Sequence, residues 1–134
     1  MDVEQSDTVP VRSPEDVVRA RQAVRTRAVA LGFSLVDQTK IVTAASEIAR
    51  NIIDYAGGGE LRLDSLRAGP RRGLRLVFVD QGPGIPDIAQ ALTDGFTTGN
   101  GLGLGLGGAK RLSSEFDIQS APGRGTIVTL TRWK

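Results

Sequence analysis

The stretch "LRLVFVDQGPGIPD", Leu74 to Asp87, decides how the rest of the chain is read. Its first half is a nearly continuous apolar run and reads as a buried strand. The run ends in Asp80 and breaks at once into Gly82-Pro83-Gly84. One reading is that Asp80, at the strand end, accepts a hydrogen bond from the exocyclic amine of a flat base. Such a bond counts most where water is excluded, because a buried carboxylate without a partner is costly. Gly82 and Gly84 would then let a ring lie against bare backbone, with Pro83 stiffening the turn. The other reading is an ordinary Gly-Pro turn.

Outward from this stretch the pattern alternates between strands and helices. "ELRLDSL" (Glu60–Leu66) precedes it as a strand, joined by the turn "AGPRRG". After it come a short helix, "DIAQAL", and a glycine-rich run, "TTGNGLGLGLGG". "AKRLSSEF" reads as helix. The chain then finishes in a second hairpin, "FDIQSA" and "GTIVTLTRW", turned at Pro122 to Gly125. On the N-terminal side, "TVPVR" (Thr8–Arg12) suits a short edge strand, since Pro10 is awkward in a central one. Ser13-Pro14-Glu15-Asp16 opens a helix whose apolar face is Val17, Ala20, Val24, Ala28 and Leu31, ended by Gly32. Ser34 to Asp37 opens a second, with a stripe of Ile41, Ala44, Ala45, Ile48 and Ile52, stopped by "AGGGE". The expected order is β-α-α-β-β-α-α-β-β. That is an α+β fold, a two-layer sandwich with helices packed on one face of a mixed β-sheet. Residues 1–134 are expected to form a single domain.

Composition narrows the chemistry. The chain has 134 residues, a net charge of +2, and neither cysteine nor histidine. Disulfides, thiolate metal sites, a histidine base, a histidine phosphoacceptor and histidine-ligated metals are all excluded. Acid–base work falls to Glu, Asp, Lys or Tyr. Neither a signal peptide nor a bilayer-spanning run is evident, so a cytoplasmic location without a membrane partner is expected. "RARQAVRTR" (Arg19–Arg27) has the charge of a nucleic-acid stripe, but its arginines scatter around a helix and no aromatics interleave. It reads as a solvated helix face, with no nucleic-acid partner; a protein surface remains open to it.

Two further constellations carry chemistry. In "SEIARN", Glu47 and Asn51 stand one helical turn apart, beside the stripe of Ile48 and Ile52. An Asn oxygen suits Mg²⁺, and a Glu can take a proton from a nucleophile. The plain alternative is an exposed polar pair. The glycine run is the other. Backbone amides where such a run meets a helix can cradle phosphates. Gly103 to Gly108 formally fits a dinucleotide fingerprint, but no strand leads into it. Nor is it a P-loop: Lys110 comes one residue late and Arg111 stands where Ser or Thr would be. A flexible linker is the alternative, although leucines alternate with these glycines where a linker would carry Ser or Thr.

In this order, Glu-x-x-x-Asn on a helix, a strand ending Asp-x-Gly-x-Gly, and a glycine-rich loop opening a helix resemble the GHKL (Bergerat) ATP-binding fold over nearly the whole chain. "ARNIIDYAGGGEL", "DQGPGIPDIAQALTDGFTTG", "GLGLGLGGAKRL" and "GRGTIVT" are most similar to the RsbT-like stressosome switch kinases. These belong with the anti-sigma-factor kinases, small serine/threonine kinases acting on STAS-domain proteins. The resemblance implies ATP and Mg²⁺ as cofactors, Asn51 as the Mg²⁺ ligand and Glu47 as the general base. It implies Asp80 on the adenine amine with Gly82 and Gly84 beneath the ring, and Thr126 helping to hold the base. Phe96, Thr97 and Thr98 would form a short lid. Gly101, Leu102, Gly103, Leu104 and Gly105 would line the phosphates, and Asp54 and Lys110 would touch the nucleotide. Two departures stand out. Gln81 replaces a frequent Asn, which should matter little; Gly107 replaces a Pro, which should loosen the lid and weaken nucleotide affinity. The implied partners are a STAS-domain substrate and a PP2C-type phosphatase, with the kinase a monomer or homodimer. Three rivals share the fold or the ligand: an anti-sigma factor that sequesters a sigma subunit, a nucleotide-gated binding module, and a plain ATP hydrolase.

Overall fold

In a computed structural model, which describes residues 1–85 and 105–134, two serines open the long helices. Ser13 accepts a hydrogen bond from the Asp16 amide at 3.4 Å and Pro14 fills the first turn of α1 (Pro14–Ala30). Ser34 accepts from the Asp37 amide at 3.1 Å and opens α2 (Leu35–Asn51). Gly32, at φ +84°, reverses the chain between them. The expected stripes face inward: Val17, Ala20, Val24, Ala28 and Leu31 of the first helical segment, and Ile41, Ala44, Ala45, Ile48 and Ile52 of the second, are all buried. Beyond Asn51 the helix widens into a π turn, Ile52–Ala56.

The helices cover one face of a five-stranded sheet of order β1-β2-β3-β5-β4. Its strands are β1 (Asp2–Val11), β2 (Gly59–Ala68), β3 (Arg71–Asp80), β4 (Glu115–Ser120) and β5 (Thr126–Trp133). A short helix, α3 (Gly105–Arg111), packs on α2 and buries Leu106 and Ala109. The α+β sandwich is as expected, but the sheet is not mixed: every neighbouring pair is antiparallel. The antiparallel helix pair returns the chain to the end where β1 stops, so Gly59 pairs with Val11 and β2 runs back along β1. The β4–β5 hairpin then lays its second strand against β3. Cross-strand rows Leu61–Phe78–Val128 and Leu63–Leu76–Leu130 form the sheet's share of the core.

Several boundaries differ from the sequence reading. β1 is ten residues long rather than five, although Pro10 does lie on an edge strand. The first hairpin turns tightly at Gly69-Pro70, so both arginines of "AGPRRG" belong to β3. α3 starts and stops earlier than "AKRLSSEF", whose last two residues begin β4. The helix expected at "DIAQAL" lies outside the described residues. The arginine stripe also needs correction at one position. Arg27 occurs seven residues after Ala20, inside the apolar stripe, and it is buried. It bonds Ser65 Oγ at 3.0 Å and pairs with Asp7, tying α1 to β1 and β2. Among the described residues no helix is long and apolar enough to cross a membrane.

The opposite face of the sheet carries one buried charge. Asp64 is 2% exposed and accepts from Ser6 at 2.7 Å on β1 and from Arg75 Nη2 at 2.9 Å on β3, with Arg62 Nε at 3.2 Å. Burial is the largest influence on its carboxyl and pushes it up. The bonds from Ser6 and Arg75, with the charge and bond of Arg62, outweigh burial and hold it below the ordinary aspartate value. A depressed carboxyl contributes stability above its unfolded pKa, and that contribution disappears as pH falls through the folded value. Urea midpoints should therefore drop as pH falls below about 4, where an unfolded aspartate takes up its proton. Asp64→Asn should cost about 1–3 kcal/mol at pH 7 and flatten that acid limb. An unchanged limb in the variant would show that other carboxylates set it.

Candidate functional site

The site is built where the end of α2, the end of β3 and the start of β5 meet. Gly59 is in register with Asp80, and Asp80 with Thr126, so three adjacent strands reach this point together. Phe78 and Val128, two residues away along their strands, are buried beneath the helices. Asp80 and Thr126 therefore stand on the helix-covered side as a cross-strand pair. The α2 end is held against them. The position a Cβ would take on Gly59 lies 3.1 Å from Ile52 Cγ2 and 3.2 Å from Asp80 Cβ. Asn51 and Asp80 thus belong to one end of the molecule, as the sequence reading requires.

Asp80 Oδ1 accepts from the Gly82 amide at 2.9 Å, which closes a local turn and leaves Oδ2 without a partner among the described residues. The glycines after it are bare for a reason the sequence did not give. A Cβ on Gly82 would stand 2.5 Å from Ala56 Cβ, in the π turn beyond Asn51. A Cβ on Gly84, at φ +79°, would stand 2.1 Å from the Ala121 carbonyl oxygen. So the chain's own close approach demands both glycines, whatever ligand lies above them. Pro83 helps by accepting from the Gly123 amide at 2.7 Å, which fastens the loop to the β4–β5 turn.

Glu47 and Asn51 share one face of α2. The Glu47 side chain is 15% exposed and its carboxylate lies 4.0 Å from the Arg50 guanidinium, a partly exposed contact worth little. Asn51 is half-buried and makes no side-chain capping bond to the π turn that follows. Among the described residues its carboxamide is left to a ligand. Asp54 and Lys110 are exposed, the first in the π turn and the second in the last turn of α3. Gly105 is the first residue of α3. Phe96, Thr97, Thr98, Gly101, Leu102, Gly103 and Leu104 lie outside the described residues.

Ser120 was missed by the sequence reading. It ends β4, in register with Thr126, and its Oγ lies 2.9 Å from Thr126 Oγ1. It also receives the Ile85 amide at 2.8 Å and reaches the Gly125 carbonyl at 3.0 Å. A serine in an alternating edge strand carries no local signal of this; only the register of β4 on β5 places it beside Thr126.

Among the described residues no cluster of three or more acidic side chains is poised to hold a metal. A cation here would need ligands from a nucleotide and water besides the protein, which suits Mg²⁺ and one Asn oxygen. An Asp80 oxygen without a partner among the described residues, bare backbone and a Glu–Asn pair meet at one end of the sandwich, and groups of these kinds suit a flat base and a phosphate-bound cation.

Comparison with known proteins agrees. Residues 16–134 match the family of histidine kinase-, DNA gyrase B- and HSP90-like ATPases. The chain is 46% identical to the serine/threonine-protein kinase RsbT of Bacillus subtilis (strain 168) over 125 residues, 93% of this chain and 94% of that one. It is 29% identical to the anti-sigma F factor of Caldanaerobacter subterraneus subsp. tengcongensis, covering 85% of this chain and 82% of that protein. Among solved structures, the RsbU and RsbW domains of a Mycobacterium tuberculosis protein share the fold, with a TM-score of 0.65 and 22% identity. The alignment covers 97% of this chain and 32% of that larger one. The expected fold and the RsbT-like resemblance are both borne out, and the ATPase family implies that ATP is bound. This chain belongs to the histidine kinase-, DNA gyrase B- and HSP90-like ATPase family.

Proposed function

We propose that this chain is a serine/threonine protein kinase that transfers the γ-phosphate of ATP to a Ser or Thr hydroxyl of a STAS-domain partner, in a bacterial stress-response partner-switching pathway. The observation that carries this reading is the 46% identity with RsbT along nearly the full length of both chains. The convergence of Asn51, Asp80 and Thr126 at one end supports it.

In this reading Asp80 Oδ2 accepts from the adenine amine, and Thr126 supports the same edge of the base. Gly101, Leu102, Gly103, Leu104 and Gly105 offer backbone to the phosphates, Thr97 and Thr98 cover them, and Asp54 and Lys110 lie at the rim. Asn51 would hold Mg²⁺, which, when bound with the nucleotide, neutralises charge on the phosphates. Glu47, one turn before Asn51, takes the proton of the attacking hydroxyl. A new bond forms between that oxygen and Pγ, the bond from Pγ to the bridging oxygen breaks, and ADP leaves. Most of the acceleration comes from alignment and fixed electrostatics, since the protein makes no covalent bond to the phosphoryl group.

The remaining expectations belong to the same proposal: cytoplasmic location, a PP2C-type phosphatase engaged after release from the substrate, and a monomer or homodimer. The likeness to an anti-sigma F factor favours a second reading, in which capture of a sigma subunit is the main task. γ-Labelled ATP with a panel of STAS domains separates the readings. Label on a STAS Ser or Thr, absent without this chain, is expected. Phosphate release with no labelled acceptor would mark a hydrolase, and ATP-dependent capture of sigma without transfer would mark an anti-sigma factor.

A further inference from the structure

We infer that Ser120 sets the direction of the Thr126 hydroxyl and thereby makes the floor of the base pocket an acceptor-only surface selective for a 6-amino purine. This rests on the adenine-nucleotide reading above and concerns which base the site admits. The Ser120 hydroxyl has one proton and two lone pairs. The Gly125 oxygen, 3.0 Å away, is a carbonyl and only accepts, so Ser120 donates to it. The Ile85 N–H only donates, so one Ser120 lone pair receives it at 2.8 Å. The remaining contact, 2.9 Å to Thr126 Oγ1, then has one solution: Thr126 donates to the second lone pair. All three contacts are satisfied, and Ser120 has no capacity left.

Thr126 has thus spent its only proton on Ser120. What its oxygen offers elsewhere is lone pairs. Thr126 is 8% exposed and stands directly across from Asp80 in the sheet, where Oδ1 is occupied by the Gly82 amide and Oδ2 has no partner among the described residues. The two side chains on this floor therefore both present acceptors. An exocyclic amine, which brings two N–H donors, is complementary to them, directly or through a water. A 6-oxo purine, such as hypoxanthine or guanine, offers one donor on that edge, N1–H, which can meet only one of the two acceptors, and it sets its carbonyl oxygen against the other with no proton between them. Sites built on hydrogen bonds reject the mismatched analogue strongly, because buried polar groups are left without partners. Ser120 touches neither base nor phosphate in this scheme. It is a positioning residue whose effect is read through Thr126.

The test compares calorimetric affinities for Mg-ATP and Mg-ITP in the full chain. Unaltered protein should favour ATP by at least about a hundredfold. Ser120→Ala frees the Thr126 proton to turn toward a carbonyl oxygen, so the ATP-to-ITP ratio should fall about tenfold, while Ser120→Thr, which keeps a hydroxyl, should restore it. The thermal midpoint, recorded alongside, reports any loss of packing, which a ratio of two affinities does not follow. If Ser120→Ala fails to fold, Thr126→Val removes the oxygen at nearly constant shape and should lower the same ratio. A folded Ser120→Ala whose ratio equals that of unaltered protein would overturn the role of Ser120. Unaltered protein that binds both nucleotides equally would overturn the selective floor, and one that binds neither would overturn the nucleotide site itself.

Discussion

Replacing Glu47 with Gln should leave Mg-ATP bound within about threefold of the unaltered affinity and lower phosphoryl transfer by at least about a hundredfold, the lower end of what a positioned base contributes. The substitution is nearly isosteric, so a side chain 15% exposed beside Ile48 keeps its packing. The contact it gives up, 4.0 Å to a half-exposed Arg50, is too long and too wet to matter to stability. What the amide cannot do is receive the hydroxyl proton. Single-turnover transfer from labelled ATP to a STAS domain, measured with nucleotide saturating, isolates that step from binding. A rate within threefold of the unaltered enzyme would remove Glu47 from the role of base, and would leave the hydroxyl to lose its proton to phosphate or water. A large loss of ATP affinity would mean instead that Glu47 helps hold the metal-loaded nucleotide.

The sequence made the helices legible because their signals are local. Ser13 and Ser34 cap where capping residues should, and the two apolar stripes are buried as their spacing demands. The end of β3 at Asp80 and the turn at Gly123 are likewise marked by residues whose backbone preferences act over a few positions. What was misread depends on contacts between distant segments. Arg27 looks like any solvated arginine until β1 supplies Asp7 and β2 supplies Ser65. Whether a sheet is mixed or antiparallel follows from which strands become neighbours, and β3 lying against β5 is not written in either strand. The glycines after Asp80 show the same limit. Their bareness was legible, and a ring above them was one sufficient explanation. The register shows another, since Ala56 and Ala121 already occupy the space a side chain would need. Both demands apply to the same positions, so substituting these glycines says little about a ligand.

Asp80→Asn does say something about the ligand, because the change separates the two oxygens by function. Oδ1 already accepts from the Gly82 amide at 2.9 Å, and the carboxamide oxygen of Asn can take over that bond, so the turn and the fold should survive. The other atom changes from an acceptor to an NH₂ donor. Facing an adenine amine, it meets donor with donor, and a charge-assisted bond worth about 1.5–3 kcal/mol is lost. Affinity for ATP should fall roughly ten- to a hundredfold by that measure, with thermal stability nearly unchanged. The same NH₂ would meet the carbonyl of a 6-oxo purine favourably, so affinity for ITP should rise while that for ATP falls, and the base preference should narrow or invert. That crossing is the informative outcome. Damage to the pocket would weaken both nucleotides together, and a base held elsewhere would leave both unaffected. Equal affinities before and after the change would therefore remove Asp80 from the adenine-binding role, even with ATP still bound by the phosphate side of the site.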